Sequence, residues 1–356
     1  MAFRAVPAFD GSLPAKTGVL LVNLGSPSAP TPAAVRRYLA EFLADPRVVE
    51  IPRLLWLAIL HGVVLRVRPR RSAAKYQLVW TPEGSPLAVH TARQTALLRK
   101  ALSSRCGGRV QVEYAMRYGE PSVSGVLARL EAERCTRVLV IPLYPQYAAS
   151  STASVMDAVF SHMARTRALP ALRSVRNFHD DPLYIDALAA RVQAHWAAQG
   201  GPGHLVMSFH GLPRYTVERG DPYYAECLAT AGLLAMRLGL TAEAWTCSFQ
   251  SRFGRTPWLE PYTVDTLRKL ARAGTRRVDV VTPGFVADCL ETLEEIGMEG
   301  RTLFLAEGGR EFHAIPCLNE DPAWIRALTD LAARELAAFV EPAEPIPAAD
   351  LTWATR

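Results

Sequence analysis

A row of carboxylates follows an apolar run late in the chain. Residues 278–295 read VDVVTPGFVADCLETLEE: a short strand pattern, a turn at Thr282-Pro283-Gly284, then an amphipathic helical pattern. At about 100° per residue, Asp288, Glu291, Glu294 and Glu295 share one face, and Cys289, Leu293 and Ile296 share the other. Acidic residues near a helix N-terminus are favoured by the helix dipole, so a solvated acidic face is the plain reading. Like charges three and four residues apart repel, however. The helix also starts at the tip of a strand that reads as parallel, where open α/β sheets bind ligands. A carboxylate row there can take metal ions or protons. His210 ends a second apolar run, 204–209, and precedes Gly211. A lone histidine often has only a structural role. At a strand tip opposite carboxylates it is a candidate ligand or base, because imidazole suits Fe(II) and Zn(II) while carboxylate suits harder ions. No Cys/His cluster has the spacing of a structural zinc site, and neither GxSxG nor HExxH occurs.

These groups need elements to hold them, and the chain reads as alternating strands and helices. Residues 18–25, GVLLVNLG, form a strand pattern that enters a turn at Ser26-Pro27 without a GxGxxG loop. A helix is expected over 31–43, capped by Thr31 with Pro32 in its first turn. Strands follow at 110–118 and 137–145, with helices at about 91–102, 123–133 and 181–199. The pattern then recurs: VLLVNLGSP matches LVMSFHGLP, VEYAMRYG matches AWTCSFQS, and VLVIPLYPQY matches VDVVTPGFVA. The expectation is two similar doubly wound, Rossmann-like α/β domains with parallel sheets facing a cleft. The first covers 17–178 and the second 179–322. A closing helix at 323–340 packs on the first domain, and the tails 1–16 and 341–356 are loose. Arg117, Tyr118, Tyr144, Tyr147 and Ser150–Thr152 from the first half would meet His210, Gln250 and the acidic row from the second. The tyrosines read equally well as core aromatics.

Residues 51–68, IPRLLWLAILHGVVLRVR, are almost wholly apolar and end in arginines. They read either as a buried core helix or as an exposed lip touching lipid or a flat apolar ligand. They are too short and too interrupted to cross a bilayer. The 356 residues carry 40 Lys and Arg against 34 Asp and Glu, a net +6 that is too dispersed for a nucleic-acid surface and suits an anionic ligand or membrane. Six cysteines without a CxxC pair, and no secretory signal pattern, lead us to expect a reduced, cytoplasmic protein. Peripheral contact with the inner membrane face is left open.

The motifs SFHGLP (208–213), GDPY (220–223), TCSFQSRFGRTPWLEPYT (246–263) and PGFVADCLETLEEIG (283–297) resemble those of ferrochelatases, as do LLVNLGSP (20–27), GSPL (84–87) and YPQYAASST (144–152). The resemblance runs from about residue 17 to 336 and is strongest to the proteobacterial branch. It implies a chelatase fold and insertion of Fe(II) into protoporphyrin IX with release of two protons. It implies His210 and Glu291 facing each other as catalytic and metal residues, with Asp288 and Glu295 as further metal or proton positions. It also implies Arg117, Tyr118, Tyr144 and Phe249 as porphyrin-binding residues. No organic cofactor is implied. Cys289 stands where animal members have histidine, Phe249 where they have tryptophan, and Ala149 where they have a cluster cysteine, so no [2Fe–2S] cluster is expected. The alternatives are a related chelatase acting on coproporphyrin or cobalt, and a two-lobed tetrapyrrole-binding protein.

Overall fold

The strands that carry the site are apolar because they are interior. In the computed structural model, which describes residues 3–4, 15–106, 109–254 and 256–340, Lys16–Asn23 (β1) is buried along nearly its whole length. A parallel strand covered on both faces must read this way. It lies between Val110–Met116 (β2) and Cys135–Pro142 (β3), with Ala171–Ser174 (β4) at the edge, in the order β2-β1-β3-β4. The second half repeats the arrangement. His204–His210 (β5) lies between Trp245–Gln250 (β6) and Arg277–Val281 (β7), with Glu311–Ala314 (β8) at the edge, in the order β6-β5-β7-β8. The likeness extends beyond the strands: Met116 bridges Ser122 as Phe249 bridges Tyr262. The sequence repeat is therefore a structural one, and both sheets are wholly parallel, as expected.

In the first half the helices are Pro32–Leu43 (α1), Arg53–Ile59 (α2), Leu65–Val79 (α3), Pro86–Cys106 (α4), Val123–Ala132 (α5) and Ser154–Met163 (α6). Thr31 caps α1 as expected, accepting a hydrogen bond from the Ala34 amide, and Pro32 opens the helix. Pro182–Ala198 (α7), Arg214–Glu218 (α8), Tyr223–Leu238 (α9), Thr263–Arg272 (α10), Arg301–Ala306 (α11) and Pro322–Val340 (α12) follow. The short elements α11 and β8 carry too few residues to show a periodicity, and the sequence did not reveal them.

The main core is common to both sheets. Leu21 and Leu139 from the first, Met207 and Phe209 from the second, and residues of α7, α9 and α12 form one cluster. Trp324 of α12 is fully buried, stacked on Phe178 at 5.7 Å and edge-on to Tyr184 at 6.0 Å. Truncating such a residue typically costs about 3–5 kcal/mol, so this contact ties the last helix to the body. The tails expected to be loose lie almost entirely outside the described residues; Arg4 donates its amide to Arg165 O.

Three stretches are π-helical: Leu60–Val64 between α2 and α3, Ala149–Ala153 before α6, and Glu291–Gly300 before α11. Such turns are rare and occur often at functional sites. All three lie in the segments that the sequence marked for chemistry or for the lip.

Candidate active site at the strand tips

β5 ends on His210, whose ring is half-buried. Its Nδ1 lies 2.7 Å from Gly211 O. A carbonyl only accepts, so Nδ1 donates this bond and Nε2 is the ring nitrogen it leaves available. The Tyr223 hydroxyl donates to His210 O at 2.8 Å, and Phe285 lies tilted beside the ring, 6.5 Å between centroids. Gly211 cannot be replaced freely: a Cβ there would meet Gln250 O at 2.8 Å and Trp258 at 3.2 Å. The glycine lets the chain turn under the neighbouring strand tip and hold the histidine in place.

The carboxylates are arranged differently from a regular acidic helix face. The segment that begins at Asp288 remains irregular until Leu290, and Glu291–Gly300 is π-helical. Its i→i+5 bonds widen the turn beyond 3.6 residues, so the 100° spacing does not apply. Glu291 and Glu295 remain neighbours that feel each other's charge. Glu294 turns instead to α3 and pairs with Lys75 Nζ at 2.9 Å, which also holds Glu299 at 2.9 Å. Asp288 precedes the helix and is buried. Its Oδ1 accepts from Thr292 Oγ1 (2.9 Å) and the Cys317 amide (3.3 Å), and its Oδ2 from Asn319 Nδ2 (2.6 Å). The expectation that Asp288 shares a face with Glu291 and Glu295 is thus corrected: its oxygens tie two loops together. Cys289 and Ile296 point inward as expected.

Glu295 is held with care. Ser251 donates its amide to Oε1 (2.7 Å) and its hydroxyl to Oε2 (2.5 Å), and Gln250 Nε2 lies 3.4 Å from Oε2. Ser251 adopts φ +66°, a left-handed conformation uncommon outside glycine, and so offers both donors to one carboxylate. Burial pushes the Glu295 carboxyl above its ordinary range, against the pull of Ser251 and the nearby His210. Gln250 is fixed in turn by Ser208 Oγ, which donates to its Oε1 at 2.8 Å, while its Nε2 donates to Glu291 O at 3.1 Å. Glu291 faces the first half, where its charge reaches Tyr38, Tyr76 and Arg68. Both tyrosines are pushed far up by burial, with Tyr76 and Glu291 adding for Tyr38 and Glu291 and Cys289 for Tyr76, so they remain hydroxyl donors. Arg68 also lies over the Phe253 ring, 4.9 Å from its centre. Sequence reading missed Tyr38, Tyr76 and Ser251. Only the left-handed turn that follows β6 could have suggested Ser251, and its sequence is not turn-like.

The first-half tips hold a closed network. Arg117 donates Nε to Ser154 O (2.8 Å) and Oγ (2.7 Å), and Nη2 to Asp45 Oδ2 (2.5 Å). The Tyr118 hydroxyl donates to Asp45 Oδ2 at 2.8 Å, and the Arg117 guanidinium lies over the Tyr118 ring at 4.4 Å. Tyr118 is 0% exposed and presents no face to a ligand, so its expected place in a porphyrin wall is corrected to a supporting one. Phe249 is corrected likewise: it is 1% exposed, packed on Phe209 and Tyr224, because successive strand residues alternate and Gln250 takes the other side. Tyr144 differs. Its hydroxyl is buried without a hydrogen-bond partner, as is Thr152 Oγ1 in the neighbouring π-turn. Buried polar atoms are almost always bonded, so these two call for a ligand or water. Burial keeps Tyr144 protonated.

Residues 51–68 divide between the two readings made of them. Trp56 and Leu60 are buried, with Trp56 Nε1 donating to Leu43 O at 2.6 Å. Ile51, Leu55, Ile59, Val63 and Val67, spaced four apart, are exposed, and Leu54 is 87% exposed. A groove beside this ridge is lined by Arg36, Arg37, His61, Arg66 and Arg70. No described helix is long and apolar enough to cross a membrane.

A family model described as Ferrochelatase matches residues 16–336. A ferrochelatase of Azoarcus sp. is 65% identical over 314 residues, covering 88% of this chain and 86% of the relative. One of Aromatoleum aromaticum is 57% identical over 349 residues, covering 98% and 95%. The structure of SirB from Bacillus subtilis with Fe3+ superposes with a TM-score of 0.55 at 15% identity, covering 91% of this chain and 97% of that one. That likeness establishes the fold. With the match over nearly the whole chain, the strand-tip histidine and the glutamate row behind it have a family: this chain belongs to the ferrochelatases.

Proposed function

We propose that this chain inserts Fe(II) into protoporphyrin IX, the reaction of its family and the last step of haem formation, between the tips of its two sheets. The observation that carries the reading is the bond between His210 Nδ1 and Gly211 O at the tip of β5, which leaves Nε2 available, with Glu295 nearby. As iron enters the ring, two pyrrole N–H protons must leave. The imidazole accepts them one at a time at Nε2, and a carboxyl held above its ordinary range by burial takes each proton onward before the next arrives. We assign the first role to His210 and the second to Glu295. Glu291, on the same face and bordered by Tyr38, Tyr76 and Arg68, is assigned to the incoming ion. Among the described residues His210 and the glutamates do not bring three ligand atoms within 4.8 Å of one another, and the trio that does lies elsewhere. An open arrangement suits an ion that passes through as substrate. Tyr144, half-buried beside Arg117 and Tyr118, is assigned as a porphyrin contact.

The exposed ridge beside a basic groove supports protoporphyrin over coproporphyrin, because a ring with two carboxylates partitions into apolar surfaces and one with four does not. It also supports peripheral contact with an anionic membrane face. Anaerobic metalation of protoporphyrin by purified protein tests the central claim. His210→Ala is expected to lower turnover about a hundredfold with porphyrin still bound; near-normal turnover sinks the assignment of His210. Wild-type preference for coproporphyrin in the same assay removes the substrate claim.

A further inference from the structure

A second group of ligand-type side chains lies at the opposite end of the second sheet. His195 in the last turn of α7, Asp279 in β7 and His313 in β8 bring one donor atom each within 4.8 Å of one another. Asp279 is the register partner of His313 across the β7–β8 pair, so both side chains leave the sheet on the side covered by α7. Asp279 also lies beside Leu205, five residues before His210 on β5. At 3.3 Å per residue that is about 16 Å from the histidine of the reaction site.

The triangle has edges of 3.2 Å (His195 Nε2 to His313 Nδ1), 3.5 Å (His313 Nδ1 to Asp279 Oδ1) and 3.9 Å (His195 Nε2 to Asp279 Oδ1). Bonds of about 2.0–2.2 Å at octahedral to tetrahedral angles put ligand atoms roughly 2.9–3.5 Å apart. Two edges fit, and the third closes with a small side-chain movement. A hydrogen bond between the rings accounts for one edge only. The two imidazoles share at most one proton, and both distances to Asp279 Oδ1 exceed a hydrogen bond. The carboxylate is oriented from behind in the manner of metal ligands. Its Oδ2 accepts from Trp196 Nε1 at 2.8 Å and from the Gly203 amide at 2.7 Å. Gly203 permits that approach, since a Cβ there would meet Oδ2 at 2.9 Å. Asp279 is fully buried while the histidine side chains are 14% and 22% exposed, which leaves an entry for an ion from solvent. One cation competes: Arg277 donates Nε to Oδ1 at 3.1 Å and Nη2 to Oδ2 at 3.4 Å.

We propose that His195, Asp279 and His313 form a second metal site that binds one divalent first-row transition ion through two imidazoles and one carboxylate, outside the cleft. Two nitrogens and one oxygen suit Fe(II), Co(II) or Zn(II), and disfavour Mg(II) and Ca(II), which take oxygen ligands. The ion would join α7 to β7 and β8. This inference does not depend on the roles assigned in the cleft.

The test uses the metal-free full chain and Co(II), counted by equilibrium dialysis and followed by its visible absorption. His210→Ala, which alters the cleft, is expected to retain the outer site. His313→Ala, at a partly exposed position on an edge strand, is expected to lose one bound ion or to weaken it at least about tenfold, with iron insertion unchanged. His195→Gln is expected to behave the same way. Arg277→Gln is expected to bind more tightly, because the competing charge is gone. Equal Co(II) number and affinity in wild type, His313→Ala and His195→Gln would overturn the proposal.

Discussion

Two buried aspartates show how much a carboxylate's neighbours decide. Burial pushes the Asp45 carboxyl up, but hydrogen bonds from Ser154, the Arg47 amide and Tyr118, with the charge of Arg117, outweigh it and leave the group below its ordinary range. A depressed folded-state pKa stabilises the fold above the unfolded value and ceases to do so as pH falls through the folded one. Asp45→Asn is therefore expected to cost about 3 kcal/mol at pH 7, with the gap to wild type shrinking below about pH 4. Denaturant melts across pH check this; a constant gap contradicts it. Asp288 stands in the family's acidic motif, yet its oxygens fasten Thr292, Asn319 and the Cys317 amide. Asp288→Ala is expected to lower stability by about 1–3 kcal/mol and to leave iron insertion per folded molecule within a few-fold of wild type. A large rate loss at unchanged stability would move Asp288 into the chemistry.

At the scale of elements, the π-helical pitch of Glu291–Gly300 separates what a regular helix would align. It keeps Glu291 beside Glu295 and sends Glu294 to Lys75. Types and order of these residues were legible in the sequence; their faces were not, because the 100° rule presumes the α-helical bond pattern. The α2–α3 ridge makes a similar point. An apolar run says only that something covers it, and here the covering differs residue by residue. Trp56→Ala is expected to cost about 3–5 kcal/mol, as a core truncation does. Replacing Leu54, Leu55 and Val63 with Ser is expected to leave the melting temperature nearly unchanged while reducing sedimentation with anionic vesicles and turnover of protoporphyrin. Unaltered vesicle binding in that variant would leave the ridge without its proposed partner.

The whole molecule is two copies of one strand order fastened by polar contacts at the strand exits. The Tyr147 amide donates to Glu226 Oε2 at 2.7 Å, the Ala149 amide to Asp221 Oδ2 at 2.7 Å, and Gln146 to Thr230 Oγ1 at 2.9 Å. These contacts fix the first half's YPQY segment against the second half and so set the two sides of the site. Among the described residues Cys135 and Cys227 belong to different core clusters, Cys289 to a third, and none is paired. We therefore expect anaerobically prepared protein to contain no stoichiometric acid-labile sulfide, and a positive sulfide assay would refute this.

The sequence by itself determined the parallel sheets, the internal repeat, the Thr31 cap and the residue types of the site, because these follow from local periodicity and from chemistry written at single positions. Tertiary structure decided the rest. It hid Phe249 and Tyr118, turned Trp56 inward and Leu54 outward, and left the Tyr144 hydroxyl without a partner. It joined Lys75 to Glu294 across 219 residues and gathered His195, Asp279 and His313 from a helix and two strands. Which of two strand faces is covered, and which distant charge meets a carboxylate, depends on how elements pack. No window of sequence contains that information.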